Sequence, residues 1–127
     1  MSELGLGRPT AFILTSDRAR AMAFYSGVLG FRLVAEDAHG ALFDMAGLDV
    51  RLTDIPDHVP SPHPLLGFDV ADIRTVCGRL AAAGVHCLIY PGFGQDEAGV
   101  WTAPDGGTHL AWFSDPDGNV LGLQQKG

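Results

Sequence analysis

Residues 17–31 read Asp-Arg-Ala-Arg-Ala-Met-Ala-Phe-Tyr-Ser-Gly-Val-Leu-Gly-Phe. Asp17 suits a helix N-cap, because a short acceptor side chain bonds the free N–H groups of a first turn. Met22, Tyr25, Val28 and Leu29 follow at helical spacing and predict one apolar stripe. Gly30 ends the helix where a left-handed residue is wanted. The same plan returns downstream: Asp72 caps, the stripe is Ile73, Val76, Cys77 and Leu80, and Gly84 stops it. A shift of 54 residues lays Gly30 on Gly84, Phe31 on Val85 and Met22 on Val76, with the caps one residue out of register. A self-match of this kind indicates two copies of one supersecondary unit.

Working outward, extended segments flank each helix. Thr10–Leu14 precedes the first, and Phe31–Glu36, Ala41–Met45 and Asp49–Thr53 follow it, separated by turns at His39–Gly40 and Gly47. Leu65–Val70 precedes the second helix, and Cys87–Tyr90, Thr108–Ser114 and Val120–Gln124 follow. The glycine-rich stretch 92–107 is longer than its counterpart and predicts a loop with a short strand at Gly99–Ala103; loops of that length are often functional. Residues 54–64 carry four prolines and can continue neither helix nor strand. The expected fold is α+β, two tandem β-α-β-β-β modules at about 8–54 and 65–125, joined by a linker at 55–64 within one domain over 1–127.

Composition narrows the function. The chain has 127 residues, eight Lys+Arg against fifteen Asp+Glu, and a net charge of −7. So few cations make no basic patch, which argues against nucleic acid, and an acidic surface favours solubility and cationic or neutral ligands. No run approaches the roughly 18 apolar residues of a membrane span, and Met1–Arg8 lacks the apolar centre of a signal peptide. Two cysteines, Cys77 and Cys87, do not make a disulfide framework and read as reduced core residues of a cytosolic protein.

Two motifs give the repeat a family. Asp17-Arg-Ala-Arg-Ala-Met-Ala-Phe-Tyr with Leu29-Gly30-Phe31 resembles the first helix of the glyoxalase, bleomycin-resistance and extradiol dioxygenase (vicinal oxygen chelate) superfamily. Phe113-Ser-Asp-Pro-Asp-Gly-Asn-Val-Leu121 resembles its last hairpin. Pro116 presets φ there, the acidic neighbours take local hydrogen bonds, and Gly118 permits positive φ. The resemblance implies curved mixed sheets around a cavity, helices outside, and in metal enzymes one side-chain ligand from each of four strands. Short members usually pair as homodimers.

Those four positions fall here on Thr10, Arg51, Leu65 and Gly122. Arg, Leu and Gly offer a divalent ion no side-chain ligand and Thr a poor one, so no metal or other cofactor is expected. The five histidines, His39, His58, His63, His86 and His109, and the loose Asp54, Asp57, His58 cluster read as solvated or loop residues for the most part. No nucleophile elbow or phosphate loop is present.

Strand parity separates two faces. Val50, Leu52, Leu66, Phe68, Val70, Leu121 and Leu123 form an apolar helix-side face. Thr10, Phe12, Asp49, Arg51, Thr53, Leu65, Gly67, Asp69, Val120, Gly122 and Gln124 form the mixed cavity side. Arg51 suits a carboxylate or phosphate, or an ion pair with Asp49, Asp69 or another acid. Trp112, which the resemblance turns inward, and Trp101 on the long loop suit stacking; Tyr90 and Phe93 share that character. The candidate ligand set is Thr10, Phe12, Arg51, Leu65, Asp69, Trp101, Trp112, Gly122 and Gln124. The first reading is a protein that sequesters a toxic or cationic aromatic small molecule. The alternatives are a metal-independent lyase or isomerase with Asp69 or Asp49 as base, and a metal-dependent lyase or dioxygenase with displaced ligands.

Overall fold

The computed structural model describes residues 3–127. The chain divides into two compact units, the first ending at Val59 and the second running Pro60–Gly127. Each is one four-stranded mixed sheet with one helical segment, so the α+β class and the repeat both hold.

In the first unit, β1 (Thr10–Thr15) leads into a helix, α1 (Arg18–Met22), followed by β2 (Arg32–Asp37), β3 (Gly40–Met45) and β4 (Leu48–Asp54). The sheet order is β1-β4-β3-β2, with β1 and β4 parallel and the other pairs antiparallel. The Asp17 carboxylate accepts the Arg20 N–H at 3.1 Å, as a capping residue should. Beyond Met22 the helix widens into a π-helix over Ala23–Val28, marked by the Leu29 N–H reaching the Phe24 carbonyl at 2.9 Å. The extra residue per turn rotates every later side chain about the axis, so the expected stripe breaks. Ala21, Phe24 and Tyr25 are buried, whereas Val28 is 42% exposed. Tyr25 stacks at an angle between Phe24 and Phe43, with centroids at 5.2 and 6.2 Å. Ile13, Val50, Leu52 and Phe43 complete this core.

The second unit repeats the plan with β5 (Pro64–Asp69), α2 (Ile73–Ala82), β6 (Trp101–Thr102), β7 (His109–Ser114) and β8 (Val120–Gln125), in order β5-β8-β7-β6. Asp72 accepts the Thr75 N–H at 3.2 Å, and Gly84 closes the helix at φ 87°, as Gly30 does at 77°. Ile73 and Cys77 on α2 are buried with Ala111, Phe113, Leu121 and Leu123 from the sheet. The helix-side parity assignment therefore holds for Val50, Leu52, Leu121 and Leu123. Val120, assigned to the cavity side, is instead buried at the head of β8, between Pro64 and Ser114.

Two local expectations fail for identifiable reasons. Cys87–Tyr90 is not a strand: its link to the sheet is the Leu88 N–H to the Trp112 carbonyl at 2.7 Å. The outer edge of β7 is shared, because Trp101 and Thr102 already pair with Leu110 and His109. In β5, Pro64 pairs with Val120 and Leu66 with Leu121, so Leu65 is an extra, bulged residue. A proline cannot donate to the ladder, and a bulge beside it absorbs the slip.

Candidate functional site

The cavity side of the second sheet carries a cleft. Gly67 on β5 pairs with Gly122 on β8, and Gly122 pairs with Trp112 on β7. Two adjacent glycines leave bare backbone as a floor, and the Trp112 ring edge lies 3.9 Å from where a Cβ on Gly122 would stand. Pro64, Leu65, Leu110 and Gln124 line a cavity of about 370 Å³ with them, and Leu66 and Leu123, which parity gave to the helix side, also border it. That volume lies within the range of small-molecule sites. A second hollow of about 290 Å³ shares Pro64 and Trp112 and adds Pro62, Tyr90 and Phe93. Trp112 is the wall between the two.

Around it the aromatic rings are interlocked. Tyr90 and Phe93 both meet Trp112 edge-on, at 5.7 and 5.6 Å, and Phe93 lies 5.9 Å from Trp101. Such tilted contacts suit the ring quadrupoles and hold each face at a fixed angle. The long loop is pinned by two side chains. Gln95 donates to the Leu88 and Gly99 carbonyls, both at 2.8 Å, and its Oε1 accepts the Tyr90 N–H at 2.6 Å. Asp96 accepts the Ala98 and Val100 N–H groups at 2.9 Å and the Arg74 guanidinium of α2 at 3.0 and 3.2 Å. Burial would raise the Asp96 carboxyl, but the Val100 amide, Arg74 and the Ala98 amide outweigh it and hold it below its ordinary value. Gln95→Ala should therefore free the Tyr90 and Phe93 rings: proteolysis by chymotrypsin within 90–101 is expected to quicken about tenfold, with the unfolding midpoint nearly unchanged.

The predicted residues divide between the units. Leu65, Trp112, Gly122 and Gln124 come together in the cleft, whereas Trp101 lines neither hollow and reaches the aromatic cluster by its contact with Phe93. Asp69 accepts the Gln124 amide at 2.5 Å and lies 3.9 Å from the Lys126 ammonium, its side chain 68% exposed. Thr10, Phe12 and Arg51 lie in the first unit. There Phe12 pairs with Arg51, and its ring is 66% exposed. Arg51 is held by Asp37, the partner the sequence left unnamed; Asp49 instead pairs with Arg8. The Arg51 hydrogen bond, with the His39 amide, pulls the Asp37 carboxyl down to about 2. A guanidinium so engaged is a weaker candidate for a ligand's anion. Leu110 also lines the cleft, and parity along β7 from Trp112 is the signal that finds it; Gly67 stands where parity put it, on the cavity side.

For a metal, the positions that the resemblance gives as the ligand set, Thr10, Arg51, Leu65 and Gly122, carry side chains whose chemistry does not fit a divalent ion. Among the described residues no three His, Cys, Asp or Glu side chains gather closely enough to replace it.

A search of curated proteins returns no match. Among solved structures, a glyoxalase/bleomycin resistance protein/dioxygenase from Alicyclobacillus acidocaldarius superposes with a TM-score of 0.73 at 16% identity, over 94% of this chain and 91% of that one. FosX, a genomically encoded fosfomycin resistance protein from Listeria monocytogenes, gives 0.73 at 14% identity over 96% and 94%. TnmS3, an antibiotic binding protein from Streptomyces sp. CB03234, gives 0.70 at 29% identity over 96% and 97%. The family model described as Glyoxalase/Bleomycin resistance protein/Dioxygenase superfamily matches residues 7–123. With repeat, sheet order and hairpin motif all in agreement, the chain belongs to the glyoxalase/bleomycin resistance protein/dioxygenase superfamily.

Proposed function

We propose that this protein binds and sequesters a flat aromatic small molecule, without metal and without turnover. The observation that carries the reading is Trp112 beside a floor of two glycines, with Tyr90 and Phe93 fixed edge-on against it. A planar ligand lying on bare backbone would present its face to the indole, and a net charge of −7 would favour a cationic one. The 29% identity to an antibiotic binding protein supports binding over catalysis and makes a toxic natural product the natural ligand class. By analogy with short members of the family, the protein would act as a cytosolic homodimer.

An enzymatic reading would need a general base in the cleft. Asp69, bonded to the cleft residue Gln124, spends one oxygen on that amide and is mostly open to water, which leaves it little reason to act as one. The test is fluorescence titration of the planar cation proflavine, with the anionic dye anilinonaphthalene sulfonate in parallel. Saturable quenching of tryptophan emission by proflavine at one site per chain, tighter than by the anion, with the dye recovered unchanged, is the expected result. Absence of saturable binding by either dye overturns the reading. So does one divalent ion per chain retained after dialysis against zinc, nickel and manganese, read by native mass spectrometry.

A further inference from the structure

The Cys77 and Cys87 sulfurs lie 3.3 Å apart, one on α2 and the other on the segment that runs into the aromatic loop. Cys77 is buried and Cys87 is partly accessible. Both open on a cavity of about 350 Å³ on the helix side of the second unit, away from the residues of the aromatic cleft. Nothing in the binding reading uses these thiols. Their surroundings tie them to the loop. A Cβ on Gly99 would stand 2.8 Å from the Cys87 Cβ, so the loop backbone rests directly on this cysteine. One residue on, the Leu88 N–H bonds the Trp112 carbonyl, and two further on comes Tyr90. Arg74, one turn before Cys77, already holds the loop through Asp96.

We propose that Cys77 and Cys87 form a reversible intrachain disulfide that pins the aromatic loop to α2. The oxidant is a peroxide, for which the helix-side cavity gives an approach. The Cys87 thiol gives up its proton, its sulfur attacks one peroxide oxygen, and the O–O bond breaks, leaving a sulfenic acid and one water. Cys77 then attacks that sulfur; the S–S bond forms, hydroxide departs and takes the Cys77 proton as a second water. Two thiols lose two electrons and hydrogen peroxide gains them. Closing the sulfurs from 3.3 Å to the roughly 2.05 Å of a disulfide requires a movement of little more than an ångström. Burial, with the Cys77 hydrogen bond, pushes the Cys87 thiol up to about 12, so it is protonated at neutral pH and its oxidation is slow.

The test treats the whole protein with excess hydrogen peroxide and maps it without reduction. The expected product is a single chain, not cross-linked to another, in which tryptic peptide 75–79 is joined to peptide 80–126 with the loss of two hydrogens. Cys77→Ser and Cys87→Ser each abolish the link. Amide hydrogen exchange over residues 88–100 is expected to slow severalfold on oxidation and to recover with dithiothreitol, and to be unmoved by peroxide in Cys87→Ser. This readout needs no ligand, so it stands apart from the fate of the binding proposal. Two free thiols after treatment, a sulfinic acid without a cross-link, or a link between chains overturns the proposal. A disulfide that leaves exchange over 88–100 unchanged overturns the pinning.

Discussion

Gly122→Phe is expected to weaken proflavine binding by at least about a hundredfold while the protein keeps its fold. Gly122 pairs with Gly67 on one side and Trp112 on the other, and its cavity-side space is open. A Cβ there meets nothing nearer than 3.9 Å, so the backbone accepts a side chain without strain. An aromatic residue is also a better strand former than glycine, which removes the usual penalty. The ring has nowhere to go except along Trp112 and into the cleft, where it takes the place of the ligand. Losing about 3 kcal/mol of stacking and burial corresponds to about two decades in Kd. Gly122→Ala adds only the tolerated methyl and should bind within about threefold of the parent. Equal binding by the Phe variant, with a native near-ultraviolet spectrum, would place the site elsewhere.

The largest expected effect on stability is at the last hairpin. Asp115→Ala should lower the free energy of unfolding by about 3–4 kcal/mol, since each buried hydrogen-bonding group left without a partner costs about 1–3 kcal/mol. The Asp115 carboxylate accepts the Asp117 and Asn119 N–H groups and the Asn119 side-chain amide, all at 2.9 Å. Both Asp115 and Asn119 are buried, so water does not replace the lost acceptor. A loss of this size is a large share of a small domain's total stability. In urea the midpoint should fall by about 1.5–2 M at an ordinary m-value. Asp105 is the comparison: it accepts the Gly107 N–H at 2.8 Å on an exposed turn, and Asp105→Ala should cost under about 1 kcal/mol. Equal effects at the two positions would show that burial is not what makes the hairpin matter.

The candidate site was readable in part. Trp112 came from the family resemblance, and Leu65 sits on a bulge that alternation does not describe; Gly122 and Gln124 were recoverable because alternation assigns a face to each residue of a regular strand. The interlocking of Tyr90, Phe93 and Trp101 with Trp112 was not, because it depends on where a loop of irregular backbone folds back. Nor was the partner of Arg51. Ion pairs join residues from different strands and turns, and no spacing rule selects Asp37 from fifteen acids.

What the sequence determined by itself is whatever rests on local chemistry. The caps at Asp17 and Asp72, the stops at Gly30 and Gly84 and the Asp-Pro-Asp-Gly-Asn turn each depend on a few neighbouring residues. The repeat that fixes the two sheets was written in those signals. The tertiary structure decided what depends on competition between distant groups. Packing of Phe24 and Tyr25 against the sheet, with Tyr25 angled on Phe43, accompanies the widened helix and exposes Val28. The outer edge of β7 is claimed by Trp101–Thr102, which leaves Cys87–Tyr90 without a ladder. The Pro64 bulge moved Leu65 out of simple alternation. In each case one donor, one edge or one volume had more than one claimant along the chain, and only the folded arrangement settles which of them is near enough to win.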